Sequence, residues 1–370
     1  MRVYLDHTSA TPMRPEALVA QQTAREVFAS PLQVHWAGRE ARTHLESARF
    51  KLAGAFGWPP RSLIFTSGAS EANSLAILGT MLGFAGGHLI TTQIEHSSVL
   101  GAARAWERLG HPVTYLAPDS RGRIDPQAVA AALRPDTRLV SIGWANSETG
   151  NVVPMAEIAS VVHGRGVYLH TDAALAWGIV QPQLVDLVSL SSPKLGGPKA
   201  SGLLYRREGV NIFPLIYGAG EQGERGGSEN LSGIAGFAAA TATARSSWSL
   251  EAPKMASLRE RLEAGLLGVE GTEINGDLCN RLPQISNVTV KGVDGEALAL
   301  NLDLLGVAVS AGSPCSSGNL EPSHVLLAMG KSGQEARASL RFSLAATTSE
   351  SDIDLALAAF SEAVQNSRLD

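Results

Sequence analysis

The chain has 370 residues, 44% hydrophobic and 18% charged, with a net charge of −5. At roughly 150 residues per domain, this length allows about two domains with sizeable cores. The mild acidity offers no polyelectrolyte pattern for nucleic acid or an anionic membrane surface. Asp6 and His7 interrupt the opening MRVYLDHTSA where a secretory leader needs an apolar run. The longest apolar patch, around Ile234–Ala244, is Ala-rich and too short to span a bilayer. With only two cysteines, Cys279 and Cys315, no disulfide framework is available, so a cytoplasmic α/β protein is expected.

Short β-rich runs alternate with helical patterns through the first two-thirds of the chain. Strands are predicted at Ser62–Thr66, His88–Thr91, Val113–Leu116, Arg138–Trp144, Gly166–Thr171, Leu184–Leu190 and Gly202–Tyr205. Between them, Leu45, Ala48, Leu52 and Phe56 recur at helical spacing, as do Leu75, Ile77, Leu78 and Leu82. This alternation with short connections predicts a mostly parallel, seven-stranded sheet covered on both faces. From about residue 246 the rhythm changes to a charged helix Met255–Leu267, a strand Ile285–Val290, a helix Glu296–Leu305, a Gly/Ser-rich loop over 310–319 and a strand Ser339–Leu344 before a terminal helix. The expected organisation is a large unit over 13–245. A smaller α+β unit would comprise 246–370 together with 1–12, which would pack back on it.

In a parallel α/β sheet, ligands sit beyond the carboxyl ends of the strands. Ser67-Gly68-Ala69-Ser70-Glu71 follows the first predicted strand and opens a helix, where small residues expose N–H groups and the helix dipole favours an anion. Glu95-His96 follows the second strand, Asp172 the fifth, and Ser191-Ser192-Pro193-Lys194 the sixth. A Gly-rich turn, a strand-end aspartate or a lysine has an ordinary structural reading when taken singly. Together, in this order, they match the needs of pyridoxal 5′-phosphate: a phosphate cradle, a carboxylate for the pyridine nitrogen and an amine for the aldehyde. Cys315, between Ser313-Pro314 and Ser316-Ser317-Gly318, sits in a polar loop suited to a reactive thiol. Cys279 matches no motif, and His170 reads as packed behind Asp172. No His/Cys/Asp/Glu group has metal-ligand spacing, so no protein-bound metal is expected.

The segments FTSGASEAN, IEHSSV, ANSETG, HTDAA, SSPKLGGPK, GEQGERGGSEN, GSPCSSGNLEPSHVLLAMG and LRFSLAATTSE resemble, in order, those of the cysteine desulfurases within the class V aminotransferase group. The longer cysteine loop is similar to that of the nitrogen-fixation and iron–sulfur housekeeping branch. The resemblance implies the fold type I architecture of pyridoxal-phosphate transferases and a homodimer. It also implies removal of sulfur from L-cysteine, giving L-alanine and a persulfide on Cys315 for a sulfur-acceptor protein. Position by position, it implies that Lys194 holds the cofactor and shuttles the Cα proton, Asp172 pairs with the pyridine nitrogen, and His96 stacks on the ring. Gly68, Ala69, Ser70 and Ser191 would take the phosphate, Ser228 would reach it from the partner subunit, and Arg341 would clamp the substrate carboxylate. His7 and His35 resemble positions near the substrate entrance.

Three positions depart from the family pattern. Ser147 stands where an asparagine usually contacts the cofactor's phenolic oxygen, Leu175 where a glutamine donates to it, and Pro193 where a histidine precedes the lysine. A lost hydrogen bond to a charged group is worth about 1.5–3 kcal/mol, so a slow or specialised desulfurase is expected. The alternatives are a pyridoxal-phosphate carbon–sulfur or carbon–selenium lyase that needs no persulfide, and a low-activity scaffold that recruits sulfur acceptors.

Overall fold

The computed structural model describes residues 2–84, 86–311 and 321–368. Its strands, in chain order, are β1 Val3–Tyr4, β2 Leu63–Thr66, β3 His88–Thr92, β4 Val113–Leu116, β5 Thr137–Ser141, β6 Tyr168–Asp172 and β7 Leu187–Ser191. They continue with β8 Gly202–Arg206, β9 Thr272–Asn275, β10 Ile285–Val290, β11 Val307–Ala308, β12 Ser310–Ala311 and β13 Ser339–Ser343. A seven-stranded sheet has the order β2-β8-β7-β6-β5-β3-β4. Strand β8 runs antiparallel to both of its neighbours and the remaining pairs are parallel. Strands β2, β3 and β7 are buried at every residue, as expected when helices cover both faces of a sheet.

The helix Trp36–Phe56 covers one face with Ala41, Leu45, Ala48, Leu52 and Phe56, and stops at Gly57, whose φ of 71° makes the left-handed cap. A second, antiparallel sheet, β12-β13-β10-β9, carries its own core of Val288, Val290, Leu340, Phe342 and Phe360. Val3 and Leu5 of the N-terminal segment join that core, and β1 pairs in parallel with β11. The expected junction near Ser246 falls inside one continuous 37-residue helix, Leu231–Leu267. No helix among the described residues is long and apolar enough to cross a membrane.

Strand β2 is an edge strand, and its Phe65 N–H donates to the Glu221 carboxylate at 2.8 Å. Glu221 in turn pairs with Arg49 at 2.9 Å, both side chains being under 5% exposed. Removing one member of such a pair leaves a buried group uncompensated, at a cost of about 3–5 kcal/mol. Arg49→Met is therefore expected to lower unfolding free energy by roughly that amount. In denaturant titrations, a loss below about 1 kcal/mol would show the pair to be worth no more than an exposed one.

Candidate active site

The loops leaving β2, β3, β5, β6 and β7 open on one cavity of about 500 Å³, closed from the second unit by Thr8, Ser9, His324 and Arg341. Gly68, Ala69, Ser70, His96, Ser147, Asp172, Ser191, Lys194 and Arg341 all line it. The structure thus brings together nearly every residue the sequence singled out. Ser228 lies on an exposed loop outside this wall. Cys315 falls outside the described residues.

The turn after β2 leads into a helix beginning at Ala69, whose first N–H groups have no intrahelical acceptor. It leans on β8 at Gly202, where a Cβ would come within 2.6 Å of the Gly68 Cα, so only glycine fits. Glu71 fixes the turn by accepting from Ser67 N–H at 2.8 Å while pairing with Arg225 at 2.8 Å. That ion pair and the Ser67 N–H hold the Glu71 carboxyl below its ordinary value against the effect of its burial.

Asp172 closes β6. One carboxylate oxygen accepts from Asn73 Nδ2 at 2.7 Å and the other from Ala174 N–H at 2.9 Å. His96 caps the helix Ser97–Arg108, its Nδ1 accepting from Ser98 N–H at 3.2 Å. Lys194 stands on the short turn after β7, its ammonium donating to the carbonyls of Ser9, at 2.6 Å, and Thr8. Arg341, on β13, is held by an ion pair to Asp6 at 2.9 Å and donates to Ser147 O at 3.1 Å. Ser147 therefore offers a main-chain contact to the arginine, and apolar Leu175 lines the wall near Lys194.

Four lining or adjacent residues carry no mark of their own in the sequence. Asn73 is fully buried against Asp172. The Glu148 carboxylate accepts from the Ser323 hydroxyl, and the His324 imidazole meets the Glu95 carbonyl at 2.9 Å. Asn73 and Glu148 fall within FTSGASEAN and ANSETG, so the only available signal was motif membership. His170, as expected, lies behind the site: it is fully buried between Ser141 and Ser189, and burial lowers its pKa to about 3, which keeps it neutral. His7 bonds Thr11 at 2.7 Å and lines a separate cavity, His35 caps a helix by accepting from Gly38 N–H, and Cys279 is exposed.

Glu95 also lines the cavity, and burial pushes its carboxyl from 4.5 up to about 7, with the nearby Asp172 charge adding to the rise. Its Thr92 and Gly143 donors, at 2.7 and 2.9 Å, oppose that shift without cancelling it. Between pH 4.5 and 7 the folded chain therefore holds a proton that the unfolded chain has released. Its stability should fall as pH rises through that window, by on the order of 3 kcal/mol from this group. Glu95→Gln is expected to flatten that part of the stability–pH curve. Parallel curves for the two proteins would contradict the assignment.

The donor set suits pyridoxal phosphate: anion-seeking N–H groups, a carboxylate held at both oxygens, an imidazole and an amine occupy separate parts of one cavity. The class-V aminotransferase family model matches residues 3–356. A cysteine desulfurase IscS of Dictyoglomus turgidum is 40% identical over 96% of this chain and 92% of its own. One from Methanosarcina thermophila is 39% identical over 99% and 93%. Among solved structures, a NifS-like protein superposes with a TM-score of 0.93 at 33% identity, covering 99% of this chain and all of the other. SspA in complex with cysteine superposes with a TM-score of 0.82 at 32% identity, over 94% of this chain and all of that one. With a site suited to pyridoxal phosphate and relatives alike along nearly its whole length, the chain belongs to the cysteine desulfurases of the class-V aminotransferase family, which are pyridoxal-phosphate enzymes.

Proposed function

We propose that the chain removes sulfur from L-cysteine, releasing L-alanine and leaving a persulfide on Cys315 that passes to a thiol of an acceptor protein. The observation that carries this reading is the convergence of Lys194, Asp172, His96 and Arg341 on one cavity. When bound there, pyridoxal phosphate supplies an electron sink for the substrate Cα. The N–H groups of Gly68, Ala69 and Ser70, with Ser191, would hold its phosphate. Asp172, fixed by Asn73, would keep a proton on the pyridine nitrogen. Lys194 would tether the cofactor and move the proton at the substrate Cα. Arg341 takes the substrate carboxylate in its guanidinium fork. The Cys315 thiolate attacks the substrate sulfur, so the sulfur–sulfur bond forms as the carbon–sulfur bond breaks, and protonation of the remaining three-carbon fragment yields alanine.

Leu175 and Pro193 remove polar groups that family members place around the cofactor, and Ser147 keeps only a shorter donor, which favours a slow enzyme. In a homodimer, Ser228 would reach the phosphate of the partner subunit's site. A cytoplasmic setting suits a catalytic free thiol.

The test is persulfide and alanine formation after L-cysteine is added to the wild type and to Cys315→Ser. Alanine with a persulfide that disappears in the variant is the expected result. Sulfide release that survives the substitution would instead indicate a lyase working by elimination. No turnover from a cofactor-loaded wild type would leave a scaffold.

A further inference from the structure

We propose that Asn73 is a positioning residue that orients both Asp172 and His96 from a single buried amide. The inference deepens the reading above, because it rests on Asp172 and His96 being the groups that meet the cofactor.

Asn73 is fully buried in the helix that opens at Ala69. Its Nδ2 has two hydrogens to give, and it donates to Asp172 Oδ2 at 2.7 Å and to Ser98 Oγ at 2.9 Å. Ser98 Oγ lies 2.8 Å from His96 Nδ1, and the Ser98 backbone N–H also points at that nitrogen, at 3.2 Å. A backbone N–H can only donate, so Nδ1 carries the lone pair and the proton of the neutral ring sits on Nε2. An unbroken polar chain therefore runs Asp172–Asn73–Ser98–His96, joining residues from the ends of two different strands.

The orientation of the amide has one physical solution. Turning it over would set Oδ1 against the Asp172 carboxylate, acceptor to acceptor. In the observed orientation, Oδ1 is buried with no hydrogen-bond partner among the described residues. An orphaned buried acceptor is destabilising, and a residue chosen for packing alone would not leave one. The arrangement serves the two donors.

Four measurements test this, and two need no cofactor. In the apoprotein, nitrogen-15 histidine spectra, with His96 assigned by loss of its signals in His96→Gln, should show the Nε2–H form. Asn73→Ala should stay folded, with a melting temperature lowered by no more than the two lost hydrogen bonds account for. It should nevertheless weaken equilibrium binding of pyridoxal phosphate to the apoprotein by about tenfold or more, the effect of one lost hydrogen bond to a charged group. Asn73→Asp, which keeps the shape but faces Asp172 with an acceptor, should weaken that binding further, and it serves if the alanine variant fails to fold. Ser98→Ala removes the hydroxyl link between Asn73 and the imidazole while the backbone N–H contact stays, so it should lower kcat several-fold while cofactor affinity stays within about twofold.

An Nδ1–H ring in the wild type would overturn the proposal. So would an Asn73→Ala protein that binds the cofactor as tightly as the wild type, or a Ser98→Ala enzyme with unchanged kcat. A wild-type apoprotein that takes up no pyridoxal phosphate would instead defeat the underlying functional reading, while the imidazole tautomer could still be measured.

Discussion

Lys194→Ala is expected to lower L-cysteine turnover by about 10²–10⁴-fold, the usual contribution of a positioned proton-transfer group. Among the described residues, no other lysine lines the cavity. Lys199, five residues further along, is exposed and stands outside the cavity wall, so Lys199→Ala makes a suitable control. The Lys194 amine instead reaches the main-chain carbonyls of Thr8 and Ser9 inside the cavity mouth. Those two carbonyls hold the Lys194 nitrogen in place. Borohydride reduction followed by intact-protein mass measurement provides a second readout. The wild type should gain the covalent mass of the cofactor and the Lys194→Ala variant should not. A variant that keeps a tenth of the activity, or that is still labelled, would move the role to another amine.

Much of the large sheet was legible because its strands are short apolar runs ending in small or charged residues. Asp172 could be picked out because it ends such a run, and Lys194 because it follows one on a short turn. The boundaries drifted where polar residues continue a strand. Strand β5 runs from Thr137 to Ser141 and stops short of the predicted Trp144, although the Ile142 and Trp144 N–H groups still donate to His170 and Asp172 carbonyls of β6 at 3.0 and 2.9 Å. The strand Thr272–Asn275 went unseen, being half-buried and polar in sequence.

The expected break near Ser246 rested on the change from strand–helix alternation to an α+β pattern. Here the Ser246 and Ser247 hydroxyls both bond back to the Thr243 carbonyl at 2.9 Å, so the helix runs on. Asn73, Glu148 and Ser323 illustrate what periodicity cannot carry. Each is a polar residue in an ordinary context until folding sets it beside Asp172, Arg341 or the cavity floor.

Arg341→Lys is expected to raise KM for L-cysteine by roughly ten- to a hundredfold, with a smaller effect on kcat. A guanidinium can offer two parallel donors to a carboxylate, whereas an ammonium offers a point charge on a flexible stem. The surroundings sharpen the contrast. Asp6 Oδ1, Ser9 Oγ and Ser310 Oγ share the two hydrogens of one terminal nitrogen of Arg341, at 2.9, 3.1 and 3.2 Å, and Ser147 O takes one from the other. This collar fixes the plane of the fork before substrate arrives, so ordering it costs little at binding. Lysine cannot satisfy those acceptors and a substrate together.

Asp6→Asn separates the collar from the charge. It keeps an acceptor for Arg341 but removes the neutralising carboxylate, so it should leave KM unchanged or lower it. If Asp6→Asn instead raised KM as far as Arg341→Lys does, substrate affinity would depend on the ion pair more than on the fork. A KM unmoved by Arg341→Lys would place the substrate carboxylate elsewhere in the cavity.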